Sequence, residues 1–243
     1  MNRLVLMFFK NIWIVPGAFW KLNHYAKHTD KYSEEEKYAH IQYMFKKAVK
    51  GGNVDLQIYG KENIPEADGF MMYANHQGLF DILAITASFD KPWAAVMKKE
   101  LYNLPMLKQM ARCTKSLSLD REDVRQGLEV IRAVTKEVES GRNYLIFPEG
   151  KRCRSENRML EFHKGSFRCA LKAKCPILPI ALIDSYKVLD QKGSKRVTVQ
   201  IHYLEPIFYE EYKDMNTAAL AEMVHDRIEK VIKEKENTKS FQL

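Results

Sequence analysis

A histidine and an aspartate five positions apart follow an apolar run that is typical of a buried strand. His76 and Asp81 bracket a turn between residues 71–74 (MMYA) and the apolar pattern that resumes at Ile82. In open α/β sheets, ligands bind where a strand ends and the chain turns towards a helix. A carboxylate that accepts a hydrogen bond from one imidazole nitrogen leaves the other free to take a proton. The pattern indicates a general base with an orienting carboxylate, while an ordinary turn capped by an aspartate has the same spacing.

A basic loop that contains glycine follows a second apolar run, residues 144–147 (YLIF). The loop of residues 148–155 reads PEGKRCRS and holds three cations, Lys151, Arg152 and Arg154. Cations beside backbone amides freed by Gly150 can bind a phosphate, to which arginine offers planar bidentate donors. Glu149 could bind a ligand hydroxyl or hold the arginines in place. A basic loop by itself is more often simply solvated.

The elements that must position these residues follow an α/β pattern. Short runs rich in β-forming residues alternate with helical patterns, which predicts a central sheet flanked by helices. The predicted strands are residues 55–59, 69–74, 93–97, 116–119, 143–147, 177–183 and 197–202. The clearest helix begins after Asp120 as its cap, ends at Gly141 and has an apolar stripe. The stripe consists of Val124, Leu128, Ile131, Val134 and Val138. A terminal helix is predicted from residue 215 to about residue 235, followed by a frayed end from residue 237.

The first 22 residues are too apolar for a solvated tail. On a helical wheel Arg3, Lys10 and Lys21 fall on one side, and five apolar residues fall on the other. These are Leu4, Phe8, Ile12, Val15 and Phe19. The pattern predicts a helix in a membrane interface, interrupted or kinked at Pro16. The alternative is a helix that packs into the protein core or a dimer interface.

A second helix is predicted by Ser33 and Glu36, which have capping-box spacing, and it ends at Gly51 and Gly52. Residues 1–50 contain nine lysines and arginines against four acidic residues, so five of the eight net positive charges lie there. We therefore divide the chain into residues 1–52, a two-helix membrane-interacting element, and residues 53–243, the domain with the candidate site.

Composition excludes several classes of protein. Hydrophobic residues make up 46% of the 243 residues and charged residues 29%, which is typical of a globular protein. The four cysteines form no CxxC pair, so no metal site is predicted. No uninterrupted apolar stretch is long enough for a spanning helix, and no cleavable signal is evident.

The net charge of +8 favours anionic partners. Aliphatic rather than aromatic strands argue against an RNA-binding module, and no nucleic-acid partner is expected.

Four blocks in order, between residues 75 and 183, resemble the 1-acyl-sn-glycerol-3-phosphate acyltransferases, or lysophosphatidate acyltransferases, of the glycerolipid acyltransferase superfamily. The sequence NHQGLFD, residues 75–81, is similar to the first block, which the element KKEL at residues 98–101 follows. The others are LDR at residues 119–121, FPEG at 147–150 and PILPI at 176–180. The resemblance implies a glycerol-3-phosphate acyltransferase-like fold, in which helices flank a central mixed sheet, with an N-terminal two-helix membrane-binding element.

The resemblance also implies roles for single residues. His76 and Asp81 correspond to the catalytic pair. The implied substrate-binding residues are Asn75, Lys98, Arg121, Glu149, Gly150 and Arg152 or Arg154. The third block departs from the family pattern, because Lys151 replaces the usual threonine and extra residues precede Ser155. Either Arg152 or Arg154 could therefore contact the phosphate.

The implied reaction transfers a fatty acyl group from a thioester to the free hydroxyl of 1-acyl-sn-glycerol-3-phosphate, giving phosphatidate. The donor is acyl-CoA or acyl-acyl carrier protein, a co-substrate, and no bound cofactor or metal is implied. An anionic phospholipid membrane is the expected partner, with the protein peripheral or monotopic on the cytoplasmic face. Alternative acceptors are glycerol-3-phosphate or another lysophospholipid. A more distant alternative is a non-catalytic basic membrane-binding protein, for which His76 would be dispensable.

Overall fold

The strands lie close to where the sequence predicts them. The computed structural model describes residues 3–120 and 123–240. Its strands are β1 (Val54–Tyr59), β2 (Met71–Ala74), β3 (Trp93–Lys98), β4 (Leu117–Leu119), β5 (Asn143–Ile146), β6 (Ile177–Ile183) and β7 (Val197–Tyr203). Within the described residues they form one mixed sheet in the order β1-β7-β6-β2-β5-β3-β4. Neighbours pair in parallel, except that β6 and β7 are antiparallel.

Helices cover both faces of the sheet. They are α1 (Arg3–Lys10), α2 (Val15–Lys27), α3 (Glu34–Gly51), α4 (Asp81–Ser88), α5 (Lys99–Tyr102), α6 (Leu107–Thr114), α7 (Val124–Glu139), α8 (Arg168–Ala173), α9 (Tyr186–Leu189), α10 (Tyr209–Tyr212) and α11 (Thr217–Ser240). The α/β class with a central mixed sheet is thus confirmed. The terminal helix continues to Ser240, beyond the predicted end near residue 235.

The core lies in two layers, one on each face of the sheet, because side chains alternate along a strand. In β6 every residue is buried, as expected for a strand covered on both faces. Leu178, Ile180 and Leu182 pack in one layer. Ile177, Ala181 and Ile183 pack in the other. Strand β6 is therefore held rigidly at the centre of the molecule, beside the strand that leads to His76.

Helix α3 begins and ends where its sequence signals predict. The Ser33 side chain accepts a hydrogen bond from the Glu36 amide at 3.1 Å, and Gly52 forms the C-cap. The apolar residues spaced along this helix, Tyr38, Ile41, Phe45 and Val49, are buried in the same layer as the sheet residues of one face. The division into residues 1–52 and 53–243 stays a prediction.

The predicted N-terminal helix is interrupted just before Pro16, so that residues 3–27 form the two helices α1 and α2. The chain bends by 91° between α1 and α2. Arg3, which a helical wheel places on the same side as Lys10 and Lys21, is buried, with only 3% of its surface exposed. Its guanidinium donates to the carbonyl oxygens of Val188 at 3.0 Å, Gly52 at 3.0 Å and Lys195 at 2.7 Å. Carbonyls of α9, of the C-cap of α3 and of the loop before β7 thus supply the acceptors that a buried guanidinium needs.

Helix α7 starts later than its sequence suggests. Asp123, not Asp120, is the N-cap, and its carboxylate accepts from the amides of Arg125 and Gln126 at 2.9 and 3.0 Å. Leu128, a member of the predicted apolar stripe, is exposed, whereas the members Val134 and Val138 are buried. The buried residues of the helix are Val130, Val134, Thr135 and Val138 among those whose side chains are described.

Across the part of the chain that the structure describes, no single helix is long and apolar enough to cross a membrane. Only α1 and α2 together satisfy that test of length and composition, and they do so as a bent pair.

Candidate active site

The site forms where three parallel strands end side by side. Strand β2 lies between β5 and β6, with Tyr73 opposite Ile146 and Ala74 opposite Ile180. The carboxyl ends of parallel strands meet at one edge of a sheet, where ligand sites form. The turn after β2 carries His76, and the loop after β5 carries Glu149. The two clusters that are 68 residues or more apart in sequence are therefore neighbours in space.

His76 and Asp81 form a direct pair. The Nδ1 atom of His76 lies 2.6 Å from Oδ2 of Asp81. An ionised carboxylate only accepts, so Nδ1 carries the proton and the lone pair of the neutral ring lies on Nε2. This nitrogen forms no hydrogen bond with any described residue, and the side chain is 19% exposed. His76 therefore presents a proton acceptor to whatever enters the site.

The carboxylate of Asp81 is fully buried and receives several donors. It is the first residue of α4, and its Oδ2 also accepts from the backbone amides of Gln77 at 2.7 Å and Gly78 at 3.0 Å. The Ser185 hydroxyl donates to Oδ1. A buried carboxylate keeps its charge only when it is paired and hydrogen-bonded, and these donors meet that requirement. The Asp81 side chain thus has a single orientation, which fixes the imidazole.

The loop after β5 holds the backbone of His76 from the other side. Glu149 Oε1 accepts from the His76 amide at 2.7 Å, and Oε2 accepts from the Leu160 amide at 3.0 Å. The amide of Cys153 donates to the His76 carbonyl at 2.7 Å. The imidazole stacks on the ring of Phe147, with centroids 4.2 Å apart. In the described structure, Glu149 therefore contacts backbone amides rather than a solvent-facing space or the arginines.

Glu149 has an unusual environment for a carboxyl group. Burial raises its pKa from 4.5 to about 7, against the opposing effect of the two backbone hydrogen bonds, and the nearby Asp81 charge raises it further. Protonation of this carboxyl near neutral pH would remove the charge that the amides of His76 and Leu160 face.

Three buried polar side chains beside the pair, those of Gln77, Asn157 and Ser185, were not predicted as site residues. The oxygen of the Gln77 amide accepts from the Ser185 amide at 2.9 Å, and its nitrogen donates to Asn157 at 2.9 Å. The Asn157 amide group in turn contacts Asp184 at 2.9 and 2.8 Å. Gln77 is adjacent to His76 in sequence, which was a usable signal. Ser185 gave none, because only the neighbouring positions of β2 and β6 bring it to Asp81.

Asn75 lies directly before His76 but has a structural contact. Its side-chain nitrogen donates to the Leu182 carbonyl at 2.9 Å, and its oxygen accepts from the Leu182 amide at 2.7 Å. The side chain is fully buried and ties the end of β2 to β6. Its expected substrate-binding role stays a prediction.

The predicted phosphate-binding cations differ in placement. Arg152 donates from Nη1 to Oδ1 of Asp190 at 2.6 Å, beside the turn that carries His76. Arg154 is exposed and forms no hydrogen bond or ion pair with any described residue. Lys98, at the end of β3, is exposed and pairs with Glu100 at 2.8 Å. Arg121 lies outside the described residues.

Gly150 has a φ of +69°, a backbone conformation that favours glycine. A Cβ atom at this position would lie 2.8 Å from the His163 ring. The close approach places His163 against the turn of the basic loop. The structure thus brings His76, Asp81, Glu149, Gly150 and Arg152 to one edge of the sheet.

Residues that could share a metal ion lie elsewhere. Among the described residues, His225, Asp226 and Glu229 of α11 have ligand atoms within 4.8 Å of one another, which is close enough to share a metal ion. None of these belongs to the site at the ends of β2, β5 and β6.

The raised pKa of Glu149 predicts a pH-dependent stability. The folded state retains this proton to about pH 7, whereas the unfolded chain releases it near pH 4.5. Stability supplied by proton retention is therefore present at low pH and lost as the pH rises towards 7. The quantity to compare is the difference in unfolding free energy, wild type minus Glu149→Gln. We expect this difference to fall by on the order of 3 kcal/mol between about pH 4 and pH 8.

The measurement is urea unfolding of wild type, Glu149→Gln and a control, Glu161→Gln, across this pH range. Glu161 is an exposed glutamate of the same loop. Its substitution should leave the pH dependence of wild type unchanged. A difference between wild type and Glu149→Gln that stays flat, or rises with pH, would contradict the prediction.

Curated proteins with similar sequences carry one activity name. A 1-acyl-sn-glycerol-3-phosphate acyltransferase of Saccharomyces cerevisiae is 28% identical over 185 residues, which cover 74% of this chain and 61% of that protein. One of Helicobacter pylori is 30% identical over 122 residues, covering 50% and 52%. One of Salmonella typhimurium is 28% identical over 173 residues, covering 68% and 70%. The chain thus spans about half to three fifths of the length of the yeast and Helicobacter proteins.

A solved structure has the same fold. The lysophosphatidate acyltransferase PlsC from Thermotoga maritima superposes with a TM-score of 0.79 at 22% identity, covering 96% of each chain. The family model described as Acyltransferase matches residues 55–183, a range that contains the His76 and Asp81 pair and the loop of Glu149. Since that match extends over more than half of the sequence, this protein belongs to the acyltransferase family.

Proposed function

We propose that this protein transfers a fatty acyl group from an acyl thioester to the free hydroxyl of 1-acyl-sn-glycerol-3-phosphate, giving phosphatidate. The observation that carries the proposal is the His76 and Asp81 pair, in which Nε2 of the imidazole bonds to none of the described residues, with Arg152 on the adjoining loop. A base beside a cation suits a substrate that has both a hydroxyl, which the base can deprotonate, and a phosphate, which the cation can bind. The activity named for the relatives from yeast, Helicobacter and Salmonella supports this choice of acceptor.

In the proposed reaction, Nε2 of His76 takes the proton of the acceptor hydroxyl as that oxygen bonds to the thioester carbonyl carbon. Asp81 stabilises the imidazolium that forms. The tetrahedral intermediate then expels the thiolate, which receives the proton from His76, so that the products are the ester and the free thiol. His76 ends the cycle neutral.

Direct transfer, without an acyl-enzyme, fits the surroundings of the imidazole. Nε2 forms no hydrogen bond to a hydroxyl or thiol of the residues that the structure describes. The serine nearest in the network, Ser185, is fully buried and donates to Asp81 instead. An activated enzyme nucleophile would need contact with the base. The substrate hydroxyl is the group that His76 is placed to deprotonate.

The acyl donor in this proposal is acyl-CoA or acyl-acyl carrier protein. The acceptor phosphate binds to the basic loop through Arg152, which Asp190 links to the turn that carries His76. Lys98, on a strand that ends at the same edge of the sheet, and Arg121 are further candidates for that phosphate. Arginine is suited to this task because its planar donors match phosphate oxygens.

In our proposal, the protein is peripheral or monotopic and docks on an anionic phospholipid surface at the cytoplasmic face of the membrane. Helices α1 and α2, with the segment between them, expose eight large apolar side chains, which we call the N-terminal apolar surface. It consists of Leu4, Val5, Phe8, Phe9, Ile12, Trp13, Phe19 and Trp20. Trp13 is 95% exposed and Trp20 69%. Exposed apolar patches of this kind, with aromatic residues and nearby lysines, are typical of helices that lie in a membrane interface.

Replacing the general base should remove most turnover. We expect His76→Ala to lower kcat by on the order of 10² to 10⁴ and Asp81→Asn to be severe as well. The measurement is purified protein in detergent with labelled acyl thioesters and a panel of lysolipids and glycerol-3-phosphate, with products identified by mass. The control is His225→Ala, at a histidine of α11 whose carboxylate neighbour is Asp226 rather than Asp81.

Near wild-type turnover by folded His76→Ala protein would contradict the mechanism. Wild-type protein that acylates another acceptor, and not 1-acylglycerol-3-phosphate, would contradict the proposed substrate while leaving the mechanism standing.

Substitutions in the basic loop should separate acceptor from donor recognition. We expect Arg152→Ala to raise the acceptor KM about tenfold or more, because a charge-assisted bidentate contact contributes roughly 1.5 to 3 kcal/mol. The donor KM should stay close to wild type. Arg154→Ala is the matched control two residues away, with a smaller effect because no described residue holds Arg154 in place. An acceptor defect in Arg154→Ala and not in Arg152→Ala would contradict this choice of arginine.

The N-terminal apolar surface should be required for binding to membranes. We expect Trp13→Ala with Trp20→Ala to weaken binding to anionic vesicles at least about tenfold, since two large apolar groups no longer leave water. Point substitutions are preferable to a deletion, because Leu6, Met7 and Leu22 are buried.

Vesicle co-sedimentation across a salt series measures this effect, with Phe208→Ala, an exposed aromatic outside α1 and α2, as control. Wild-type binding should weaken at high salt without vanishing. Unchanged sedimentation of the double variant would contradict the assignment of this surface.

A further inference from the structure

One carboxylate bridges the basic loop and the catalytic turn. Asp190 follows α9, and its Oδ1 accepts from Nη1 of Arg152 at 2.6 Å. Its Oδ2 accepts from the backbone amide of Leu79 at 3.0 Å. Leu79 lies within the turn bounded by His76 and Asp81. Asp190 therefore connects the two parts of the site that the proposed function requires, the phosphate-binding arginine and the general base.

The turn is shaped to admit this carboxylate. A Cβ atom on Gly78 would lie 2.5 Å from Oδ2 of Asp190 and 3.2 Å from the Cα atom of Tyr186. Real Cβ atoms do not approach a heavy atom as closely as 2.5 Å, so a side chain at position 78 would displace Asp190. The absence of a side chain on Gly78 thus permits the contact between Asp190 and Leu79.

Arg152 keeps donors free while Asp190 holds it. A guanidinium has five N–H groups, and Asp190 accepts from Nη1. The side chains of Arg152 and Asp190 are 27% and 28% exposed, so an acceptor can reach the remaining donors. An ion pair this exposed adds little to folding stability. Its stronger effect is on orientation, because a restrained arginine loses less conformational freedom when a phosphate binds than the exposed Arg154 would.

We propose that Asp190 is a positioning residue, which sets the distance between the acceptor phosphate and His76 by holding Arg152 with one oxygen and the catalytic turn with the other. The proposal rests on the proposed function, since it requires an acceptor that has a phosphate. Asp190 acts through Arg152 and does not itself contact the acceptor. Misplacement of a bound substrate by about 1 Å can cost on the order of 10² in rate, so this link matters for turnover.

The alternative role for Asp190 predicts the opposite sign. A carboxylate that merely competed with phosphate for Arg152 would weaken acceptor binding, and its removal would lower the acceptor KM and raise kcat/KM. A positioning carboxylate gives a loss of kcat/KM when it is removed, and that loss depends on the presence of Arg152.

The experiment is a double-mutant cycle of Asp190→Asn and Arg152→Ala. All variants are assayed with the phosphate-bearing acceptor for which wild-type protein has the highest kcat/KM. Asparagine keeps an oxygen for the Leu79 amide and loses the charge that pairs with Arg152. We expect Asp190→Asn alone to lower acceptor kcat/KM by about tenfold, with the donor KM unchanged. In the Arg152→Ala background, the same substitution should change kcat/KM by less than about twofold.

Asp90→Asn is the matched control, since Asp90 forms a similar exposed ion pair at 2.7 Å, with Lys61, outside the site. It should not alter kcat/KM. A full tenfold loss in both backgrounds, no loss in either, or a gain of activity in Asp190→Asn would overturn the proposal. If Asp190→Asn protein is unfolded by circular dichroism, Asp190→Glu replaces it in the cycle with the same expected dependence on Arg152.

The outcome is separable from that of the proposed function. The products that wild-type protein forms with the acceptor panel identify the substrate, whereas the cycle identifies the role of Asp190. If wild-type protein acylates only acceptors that lack a phosphate, the proposed function and the role of Asp190 both fail. If it acylates 1-acylglycerol-3-phosphate and the cycle shows no coupling, only the role of Asp190 fails.

Discussion

The buried carboxylate of Asp81 imposes the strictest requirement on this structure. A charge removed from water is tolerated only when donors surround it, and here they come from the His76 ring, two amides of the turn and the Ser185 hydroxyl. The first three are local to the turn between β2 and α4. The fourth comes from the chain after β6. Meeting the needs of one carboxylate therefore fixes the turn, the imidazole and the end of a neighbouring strand together.

The same principle extends outwards through backbone contacts. Glu149, from the loop after β5, accepts from the His76 amide, and Asn75 pairs with both backbone groups of Leu182. The turn that carries His76 is thus held from the strands on both of its sides. Polar networks of this kind are rigid when every member is satisfied, because each unpaired buried group would cost free energy. Preorganisation of this sort is what the proposed general base needs, since its position must not change as charge develops.

The N-terminal helices have the opposite character on their outer face. Leu6, Met7 and Leu22 anchor them in the core, and the buried guanidinium of Arg3 joins α1 to three separate segments of chain. The anchoring leaves Trp13 and Trp20 exposed on a rigid support. A fixed apolar surface loses little conformational entropy on binding, which suits it to a lipid interface. In the proposed function, a membrane-held acceptor then meets a site that is already assembled.

The sequence by itself determined the local features of this protein. Alternating and continuous apolar runs located the strands, Ser33 and Gly52 marked the ends of α3, and the spacing of His76 and Asp81 pointed to the pair that the structure places 2.6 Å apart. These signals are local because strand alternation, capping and turn contacts involve residues a few positions apart. Only the tertiary structure decided that Ser185 meets Asp81, that Asp190 bridges Arg152 and Leu79, and that Arg3 is buried. Those contacts depend on which strands are neighbours, and strand order is set by the packing of the whole core rather than by any short stretch of residues.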